Sequence, residues 1–425
     1  MSSPRSSTSP ALSHSVTRPA SLDAVLEFAW GAGQVTAADV MQATELTRAT
    51  AIEALSTLVG LGLLRELPNA REAGEYRKGR PARRFEFRAD AAVVVGVDAG
   101  FTHLIARASD LRGRTLSSAT AFDNVEDTEH DPRSVALQGG DRRRRAVDSV
   151  VTKALSDLKP GLPVVAICVG IPAPVDAHGT SPQHSVGFWQ RINPDLTKSL
   201  RHLAAIVRVE NDASLSAVAE GALGAAQGSK NYVSLLAGSR MGAGIVIDGH
   251  LLRGARGGVG EMGAFNHVEG VGDSRGLGSY VTLLARKWSA EGLLAKGGKL
   301  QQIPAENLDG KTILELAAQG DPDAQRIAGK AGARLARIVS VLGSTYDPEL
   351  VVVGGSVSRT IDPVIAAARS HLPDALDSPP PTIIASELAG DAVVEGAVVA
   401  AVESAQANLL DLVLTGKGWA GLPKT

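Results

Sequence analysis

Short apolar runs typical of β-strands alternate along this chain with segments of helical periodicity, and the alternation occurs in two successive blocks. The strand-like runs are Val93–Val97, Thr102–Ser109, Val164–Val169, Ile206–Val209, Tyr232–Leu236, Gly244–Ile247 and Leu350–Val353. Such alternation predicts an α/β fold in which helices cover a sheet. Two blocks predict two lobes, over 90–225 and 226–425, with a C-terminal helix that returns to the first lobe.

Residues 21–89 have a different hydrophobic pattern, which predicts a separate helical domain. Apolar residues at helical spacing predict three short helices, whose inward positions are Leu22, Val25, Leu26 and Ala29, then Val40 and Ala43, then Ala51, Ala54, Leu55 and Leu58. Thr36 and Thr47 are the candidate N-caps of the second and third helices. The extended segments Leu63–Leu67 and Arg83–Arg88 then bracket a polar loop. Three short helices followed by such a hairpin are typical of a winged helix-turn-helix.

In that fold the start of the third helix enters the major groove of DNA. We therefore expect the polar side of this helix to face the bases through Thr47, Arg48, Thr50 and Glu53. The segment 65–88 carries eight basic and four acidic residues, and phosphate contacts require such a local excess. We assign these contacts to Arg77, Lys78, Arg80 and Arg83. The structural alternative is a small helical dimerisation module with a solvated, charged hairpin.

One turn and two connecting segments also carry predictions. Glu45 stands in the turn before the third helix, where glycine is common. Because left-handed backbone costs a residue other than glycine about 1 kcal/mol, we expect this turn to use another conformation. The polar segment Asp123–Arg145 predicts a surface loop, and Asp377–Pro381 predicts a rigid connection before the strand Thr382–Ser386.

Composition excludes several classes of protein. A hydrophobic content of 44% supports a sizeable core, and a net charge of −2 argues against a surface coated with nucleic acid. The one cysteine, Cys168, allows no intrachain disulfide and no cysteine-based zinc site. Residues 1–20 are rich in Ser, Pro and Thr and predict a disordered tail, not a secretory signal. No apolar stretch approaches the roughly 18 residues of a membrane span, so we expect a soluble, cytoplasmic protein.

Three glycine-rich turns at strand ends point to phosphate chemistry. Val95–Gly100 ends a strand at Asp98 and Gly100, with Thr102 close behind. Ala237–Gly249 holds Gly238, Ser239 and Gly242 in a hairpin, and Val351–Ser356 holds Gly355 after the predicted helix Asp323–Leu342. Glycine allows the backbone to approach a phosphate closely. In their order the turns are similar to those of actin-like ATPases and sugar kinases.

Further motifs lie between these turns, namely Val169–Val175 (VGIPAPV), Glu210–Asp212 (END) and Gly254–Gly263 (GARGGVGEMG). With Gly79-Arg80-Pro81 at the end of the predicted wing, their order over about 20–405 resembles the ROK family of repressors, open reading frames and kinases. The resemblance is to its regulators with an N-terminal winged helix. It implies a two-lobed sugar-kinase (ribonuclease H-like) fold and a sugar site formed by Asn211, Asp212, Glu261 and Trp189. In a kinase of this family Asp212 would be the catalytic base.

The chain departs from the kinases of this family at several positions. Ala264 stands where they carry a metal-ligating His, and Val271–Tyr280 replaces their cysteine-rich zinc run, with Ser279 in place of a sugar-binding Glu. We therefore expect no zinc and no other metal, and His267 is interpreted as a surface residue. Ser185 replaces an Asn that contacts sugar, and Arg240 crowds the phosphate hairpin. The nucleotide site is therefore predicted to be vestigial, and its residues are Asp98, Gly100, Thr102, Gly238, Ser239, Gly242 and Gly355.

Together these features predict a DNA-binding transcription regulator, in the first instance a repressor of carbohydrate metabolism, with double-stranded operator DNA as its partner. We expect a homodimer or higher homo-oligomer, a sugar or sugar-phosphate effector, and no cofactor. Two alternatives stay open. The first is an ATP-dependent sugar kinase, supported by Asp98, Gly100, Asn211 and Asp212. The second is a ligand-independent regulator whose body only dimerises, supported by the changes at Ser185, Ala264 and Ser279.

Overall fold

A computed structural model describes residues 19–68, 82–122, 132–183, 187–372 and 379–416, and within 132–139 it describes the backbone alone. Several sequence predictions lie outside the described residues. They are the tail up to residue 18, Arg77, Lys78, Arg80 and the Gly79-Arg80-Pro81 motif, Ser185, and the start of the Asp377–Pro381 connection.

The N-terminal part contains three helices and a small antiparallel sheet. Its elements are α1 (Ala20–Gly31), β1 (Gln34–Thr36), α2 (Ala37–Thr44), α3 (Arg48–Gly60), β2 (Leu64–Leu67) and β3 (Arg84–Phe87), with strand order β1-β3-β2. Thr36 and Thr47 cap α2 and α3 as predicted, since their hydroxyls accept hydrogen bonds from Asp39 N and Thr50 N at 3.3 Å.

Two details of this part differ from the sequence prediction. Ala43 is exposed, and Val40 is the one fully buried residue of α2. Glu45 adopts left-handed backbone with φ 57° after all, and its N–H donates to Met41 O at 3.0 Å. The expected avoidance of this conformation was wrong, because the left-handed residue ends α2 and lets α3 leave in a new direction.

Two five-stranded sheets form the rest of the chain and share one topology. The strands of the first sheet are β4 (Val93–Ala99), β5 (His103–Asp110), β6 (Thr115–Phe122), β7 (Val164–Ile171) and β8 (Ile206–Asn211). The strands of the second are β9 (Tyr232–Leu236), β10 (Gly242–Ile247), β11 (His250–Leu251), β12 (Leu350–Gly354) and β13 (Thr382–Ala385). In each sheet the order is third, second, first, fourth, fifth, with two antiparallel and two parallel pairings. The repeated alternation in the sequence therefore reflects a duplicated unit.

Helices cover both sheets. They are α4 (Pro132–Ser156), α5 (Phe188–Ile192), α6 (Leu196–Ser199), α7 (Asp212–Ala222), α8 (Leu277–Ala290), α9 (Gly310–Ala318), α10 (Pro322–Tyr346), α11 (Asp362–His371) and α12 (Ala392–Thr415). Every residue of β4 is buried, as expected for a central strand with helices on both faces. The helix predicted over Asp323–Leu342 is α10.

The segment Asp123–Arg145 is not the surface loop that its charges suggested. Helix α4 begins at Pro132 and includes the whole arginine run. Val147, Val150, Val151 and Ala154 recur at helical spacing and are buried against the first sheet. Because arginine has a high helix propensity and Pro favours the first helical position, the helix extends backward from this apolar face. Residues 123–131 lie outside the described part.

The C-terminal helix α12 packs on the first sheet against β4 and β7, and also against α7. Among the described residues, Ala389–Thr415 is the one helix long and apolar enough to cross a membrane, so the expectation of no such stretch was wrong. Its apolar side chains, including Val394, Val398 and Leu409, are buried in the protein core. A core helix explains this composition.

We expect Gly396→Ala to destabilise the protein, against the usual effect of this change inside a helix. A Cβ atom at Gly396 would lie 1.9 Å from the Leu215 carbonyl oxygen in α7, and backbone cannot yield cheaply. The expected cost is about 1–3 kcal/mol, measured as a lower melting temperature in calorimetry. Gly329→Ala in α10 is the matched control, because nothing lies within 4 Å of its Cβ position. It should leave the melting temperature unchanged or raise it. Equal effects of the two changes would contradict the packing argument.

Candidate functional site

The carboxyl ends of the parallel strands β4, β7 and β8 meet at one edge of the first sheet. Asp98 of β4 pairs with Gly170 of β7, and Ile171 of β7 pairs with Asn211 of β8. Open α/β sheets bind their ligands outside this edge. The register thus places Asp98 beside the END motif.

Asn211 is both the last residue of β8 and the N-cap of α7. Its Oδ1 accepts a hydrogen bond from Ser214 N at 2.9 Å, and its Nδ2 donates to Ala173 O at 3.2 Å. An amide nitrogen carries two hydrogens, so one remains to face a ligand. The cap explains why an Asn follows a strand and precedes a helix here, and it fixes the amide in place.

Asp212 is the first residue of α7 and lines a cavity at the sheet edge. Burial, followed by the neighbouring carboxylate of Asp98, raises the pKa of Asp212 to about 8, although the N–H of Ala213 donates to its Oδ1 at 2.7 Å and opposes the rise. At neutral pH this side chain is therefore mostly protonated. A protonated carboxyl both donates to and accepts from a hydroxyl, which suits a polyhydroxy ligand.

His103, which the sequence analysis did not select, lies beside Asp98 in the same cavity. Its Nε2 is 3.3 Å from Asp98 Oδ2, and this hydrogen bond raises the pKa of the imidazole above its usual value. The imidazole therefore keeps its positive charge to higher pH, next to the Asp98 carboxylate of the predicted vestigial nucleotide site. Its signal in the sequence was its position directly after the Asp98–Thr102 turn.

The second lobe contributes the hairpin between β9 and β10 to this site. Backbone hydrogen bonds connect this hairpin to the loop that precedes α8. Met241 N donates to Ser274 O, and Gly276 N donates to Ser239 O, both at 3.0 Å. A Cβ at Gly276 would lie 2.2 Å from Gly238 O, so only glycine allows this approach. Gly355 has φ 98°, a conformation that favours glycine, and also borders Gly238.

Arg240 at the hairpin tip reaches across to aromatic residues of the first lobe. Its guanidinium carbon lies 5.6 Å from the ring centre of Phe101 and 5.7 Å from that of Phe188, and the two rings stack at 5.9 Å. These distances are those of cation–π contacts. Arg240 also lines the cavity beside Glu261. Loss of solvation raises the pKa of the Glu261 carboxyl overall, and the positive charge of Arg240 opposes this rise. The predicted crowding of the hairpin therefore takes the form of a side chain that bridges the cleft.

Two cavities meet at the hairpin. The smaller, of about 310 Å³, is lined by all the predicted effector residues and by the predicted nucleotide residues: Asn211, Asp212, Glu261, Trp189, Asp98, Gly100, Thr102, Gly238, Ser239, Gly242 and Gly355. The larger, of about 880 Å³, lies between the hairpin, α8 and the start of α9, and Ser279 lines it. Gly238, Ser239, Arg240 and Ser356 belong to both. Glu261 lines the smaller cavity with part of its side chain and exposes the rest to solvent.

The segment Val271–Tyr280 does not fit a zinc ion, and Arg334 of α10 organises it instead. Arg334 is 1% exposed, and its Nη2 donates to Asp273 Oδ1 at 2.9 Å and to the carbonyls of Asp273 and Arg275 at 2.6 and 2.9 Å. Its guanidinium lies 4.6 Å from the ring centre of Tyr280. Within the described residues no group of three His, Cys, Asp or Glu side chains could hold a metal. Sequence reasoning missed Arg334, since it lies about 60 residues beyond the loop that it holds.

Cys168 in β7 is fully buried, and burial raises the pKa of its thiol to about 12. A thiol in this environment is unreactive. Cys168 is therefore a residue of the protein core.

The predicted DNA-facing residues lie together at the start of α3. Thr47, Arg48 and Glu53 are exposed and Thr50 is half-buried, while Ala51, Ala54, Leu55 and Leu58 fill the core as predicted. Arg83 is paired with Glu66 in this structure. Its Nε donates to Glu66 Oε1 at 2.6 Å and its Nη2 donates to Glu66 Oε2 at 2.5 Å. Arg65 forms a similar pair with Glu86. The hairpin of β2 and β3 therefore neutralises part of its own charge.

We expect Asp212→Asn to stabilise the folded protein with a characteristic pH dependence. The part of the wild-type stability that depends on Asp212 should fall as pH rises from about 4 to about 8, because the unfolded state loses this proton near pH 4 whereas the folded state keeps it up to the raised pKa. The gain of the variant should therefore be small near pH 4, grow to at most a few kcal/mol by pH 8, and then level off. Melting temperatures between pH 4 and 9 measure it. Asp157→Asn on the surface is the control, and a gap independent of pH would contradict the assignment.

Comparison with known proteins places this geometry in a family. The sequence model of the ROK family matches residues 94–403. The bifunctional enzyme NanE/NanK of Brucella suis biovar 1 is 35% identical over 197 residues, which are 46% of this chain and 34% of that enzyme. A glucokinase of Thermotoga maritima is 27% identical over 62% of this chain and 86% of its own length. The DNA-binding transcriptional repressor Mlc of Escherichia coli K12 is 24% identical over 48% of this chain and 52% of its own. This chain thus spans about a third of the Brucella enzyme and about half of the repressor.

Solved structures extend the similarity to almost the whole chain. A ROK family transcriptional regulator, a homologue of the E. coli Mlc protein, has the same fold over 93% of this chain and 98% of its own, with a TM-score of 0.68 and 19% identity. A ROK glucokinase from Streptomyces griseus in complex with glucose and AMPPNP matches 73% of this chain and all of its own, with a TM-score of 0.54 and 26% identity. The predicted actin-like α/β fold is confirmed. Since the family model matches well over half of its residues, this chain belongs to the ROK family.

Proposed function

We propose that this protein is a sequence-specific DNA-binding transcription regulator, acting as a repressor of carbohydrate metabolism, whose sugar-kinase-like body senses a sugar or sugar phosphate. One observation carries the proposal. Helix α3 follows α2 through a tight turn, exposes the polar residues of its first turns, and is flanked by the small sheet β1-β3-β2. This arrangement supports a winged helix-turn-helix, in which α3 would be the helix that enters the major groove.

Different basic residues of the N-terminal part are proposed to contact the bases and the phosphates of DNA. Arg48 begins α3 and has no acidic partner within salt-bridge distance among the described residues, so it is available to DNA. Because Arg83 and Arg65 are paired with acidic residues, phosphate contacts fall mainly to Arg77, Lys78 and Arg80, which lie outside the described part. Binding to an operator with two half-sites requires two copies of α3, so we propose a homodimer on a palindromic site.

Two elements connect the cavity to the DNA-binding part. The strand β5 begins at His103 in the cavity and ends before Arg112, whose side chain donates to the carbonyls of Ala29, Trp30 and Ala32 at the end of α1. Val393 near the start of α12 lines the cavity, while Leu409 and Leu410 share a core cluster with α1 and α3. A ligand that favours one arrangement of the lobes would therefore change the position of α1.

A sugar kinase remains the second candidate, because Asp98, Asn211 and Asp212 share one cavity that adjoins a larger one. A pKa of about 8 at Asp212 is also compatible with a general base. Against phosphoryl transfer, Arg240 fills the hairpin where the kinases of this family carry glycine and bridges to Phe101 and Phe188. Ala264 also replaces a metal-ligating His of these kinases, and Ser279 replaces a sugar-binding Glu. We therefore assign the cavity to ligand sensing.

We expect Arg48→Ala to weaken binding to DNA by roughly 5- to 150-fold, since one good base contact contributes about 1–3 kcal/mol. The probe is a duplex that the wild-type protein selects from a random-sequence pool, and fluorescence anisotropy measures its affinity. Arg201→Ala, which removes an exposed arginine of the body, is the control for the change in net charge. Equal affinity of the Arg48 variant and the wild type would overturn the role of α3.

We expect a sugar or sugar phosphate to raise the melting temperature of the wild-type protein without any phosphoryl transfer. A ligand at 100 times its Kd adds about 2.7 kcal/mol of stability. The experiment combines a thermal-shift panel of hexoses, amino sugars and their phosphates with a coupled ADP-release assay. Formation of ADP would favour the kinase. A panel without any shift would favour the regulator that only dimerises.

A further inference from the structure

Helix α3 exposes an apolar side chain between its polar ones. Ile52 is 39% exposed, and Ala49, one turn earlier, is also exposed. Arg48 and Glu53 flank them on the same side of the helix, opposite the buried Ala54, Leu55 and Leu58. The face that the proposed function turns toward DNA is therefore an apolar patch, Ala49 and Ile52, between a cation and an anion.

Ile52 lies outside the buried core that holds this part together. It is absent both from the buried cluster that joins α1, α3 and the small sheet and from the partly buried residues packed on that cluster, such as Met41, Leu46 and Val59. As a β-branched residue it also lowers helix propensity relative to a polar residue such as Gln or Lys. Folding therefore does not account for an isoleucine at this position.

The other large apolar side chains exposed in the described part of the chain lie outside α3, as with Leu116 on β6 and Leu223 after α7. Single exposed apolar residues are common on protein surfaces. Ile52 differs because of its place: it is the fifth residue of α3, level with the residues proposed to read base edges. In the major groove, thymine alone presents a methyl group.

We propose that Ile52 contacts the C5-methyl group of a thymine in the operator, with the small Ala49 leaving room for the base edge to approach. The inference rests on the proposed function and specifies part of the operator. Arg48 and Glu53 on either side would contact neighbouring bases by hydrogen bonds, for which guanine O6 and N7 suit the arginine and cytosine N4 suits the glutamate. Contact with the methyl group then adds to the discrimination between thymine and the other three bases.

The test uses the full-length protein and a duplex that it selects from a random-sequence pool. Each thymine of this duplex is replaced in turn by deoxyuridine, which keeps every hydrogen-bonding group and removes only the methyl. For the wild type, at least one replacement should weaken binding about fourfold, the value of one buried methyl group. Ile52→Ala should bind the original duplex about as weakly as the wild type binds that replaced one, and should not respond to the replacement.

Two further variants make the result specific. Ile52→Val keeps a branched methyl and should keep the response to deoxyuridine. Leu116→Ala removes an apolar side chain of the same 39% exposure from β6 and should bind both duplexes as the wild type does. A wild type that tolerates every replacement, or an Ile52→Ala variant that loses the same factor as the wild type, overturns the contact while the DNA-binding function stands. If Ile52→Ala instead changes the oligomeric state in light scattering, the patch contacts a second copy of the chain and the contact with thymine is overturned. Failure to select any duplex overturns the proposed function itself.

Discussion

The burial of α12 against the first sheet is the interaction on which the rest of the structure depends. The approach is close enough that a Cβ atom at Gly96 of β4 would lie 2.5 Å from Val398 N, and one at Gly396 would lie 1.9 Å from Leu215 O. Backbone-to-backbone packing of this kind leaves no freedom to slide, because interiors are packed as densely as organic crystals. Helix α12 therefore forms a rigid connection. It runs from the smaller cavity, which Val393 lines, to the N-terminal helices, which Leu410 contacts.

The consequence is an N-terminal part that is joined to the body by a continuous apolar cluster. Arg112 reinforces the junction, since its guanidinium holds carbonyls at the end of α1 and lies 5.7 Å from the ring centre of Phe87, which stacks on Trp30. Between α1 and α12 a cavity of about 420 Å³ remains, lined by Trp30 and by carboxylates that include Glu27 and Glu403. The junction between α1 and α12 is therefore closely packed near Leu410 and open beside Trp30. This arrangement leaves room for small tilts of α1 that do not disrupt the core.

The site combines residues of two lobes, and this arrangement favours a sensor. Asp98, Asn211 and Asp212 come from strand ends of the first sheet, whereas the hairpin with Arg240 comes from the second. The cation–π contacts of Arg240 with Phe101 and Phe188 link the lobes where a nucleotide phosphate would lie in a kinase. A ligand in the smaller cavity touches both lobes and is therefore sensitive to their separation.

Helix caps, hydrophobic periodicity and turn residues predicted most of the helices and strands from the sequence, because these signals act between neighbouring residues. Thr36 and Thr47 cap helices because a hydroxyl satisfies an N–H of the first turn, and the END motif reaches the site because Asn211 ends a strand and caps a helix. The failures were of another kind. Ala43 points outward, Glu45 takes left-handed backbone, and the arginine run lies in α4, with the Arg143 guanidinium buried against Ala99 O. At Glu45 the geometry of the turn outweighed the preference of the residue. In the arginine run the helix propensity and the buried apolar face of α4 outweighed the polar, loop-like composition.

The sequence by itself determined the α/β duplication, the helices of the N-terminal part and the residues at the strand ends, because periodicity, caps and glycine turns act over a few neighbouring residues. Only the tertiary structure decided that Arg240 bridges the cleft, that Arg334 holds the loop where relatives would carry zinc, and that Arg83 is paired with Glu66. These contacts join residues that are 17 to 139 positions apart or lie in different lobes, and charge in a sequence does not reveal which partner a long side chain will reach.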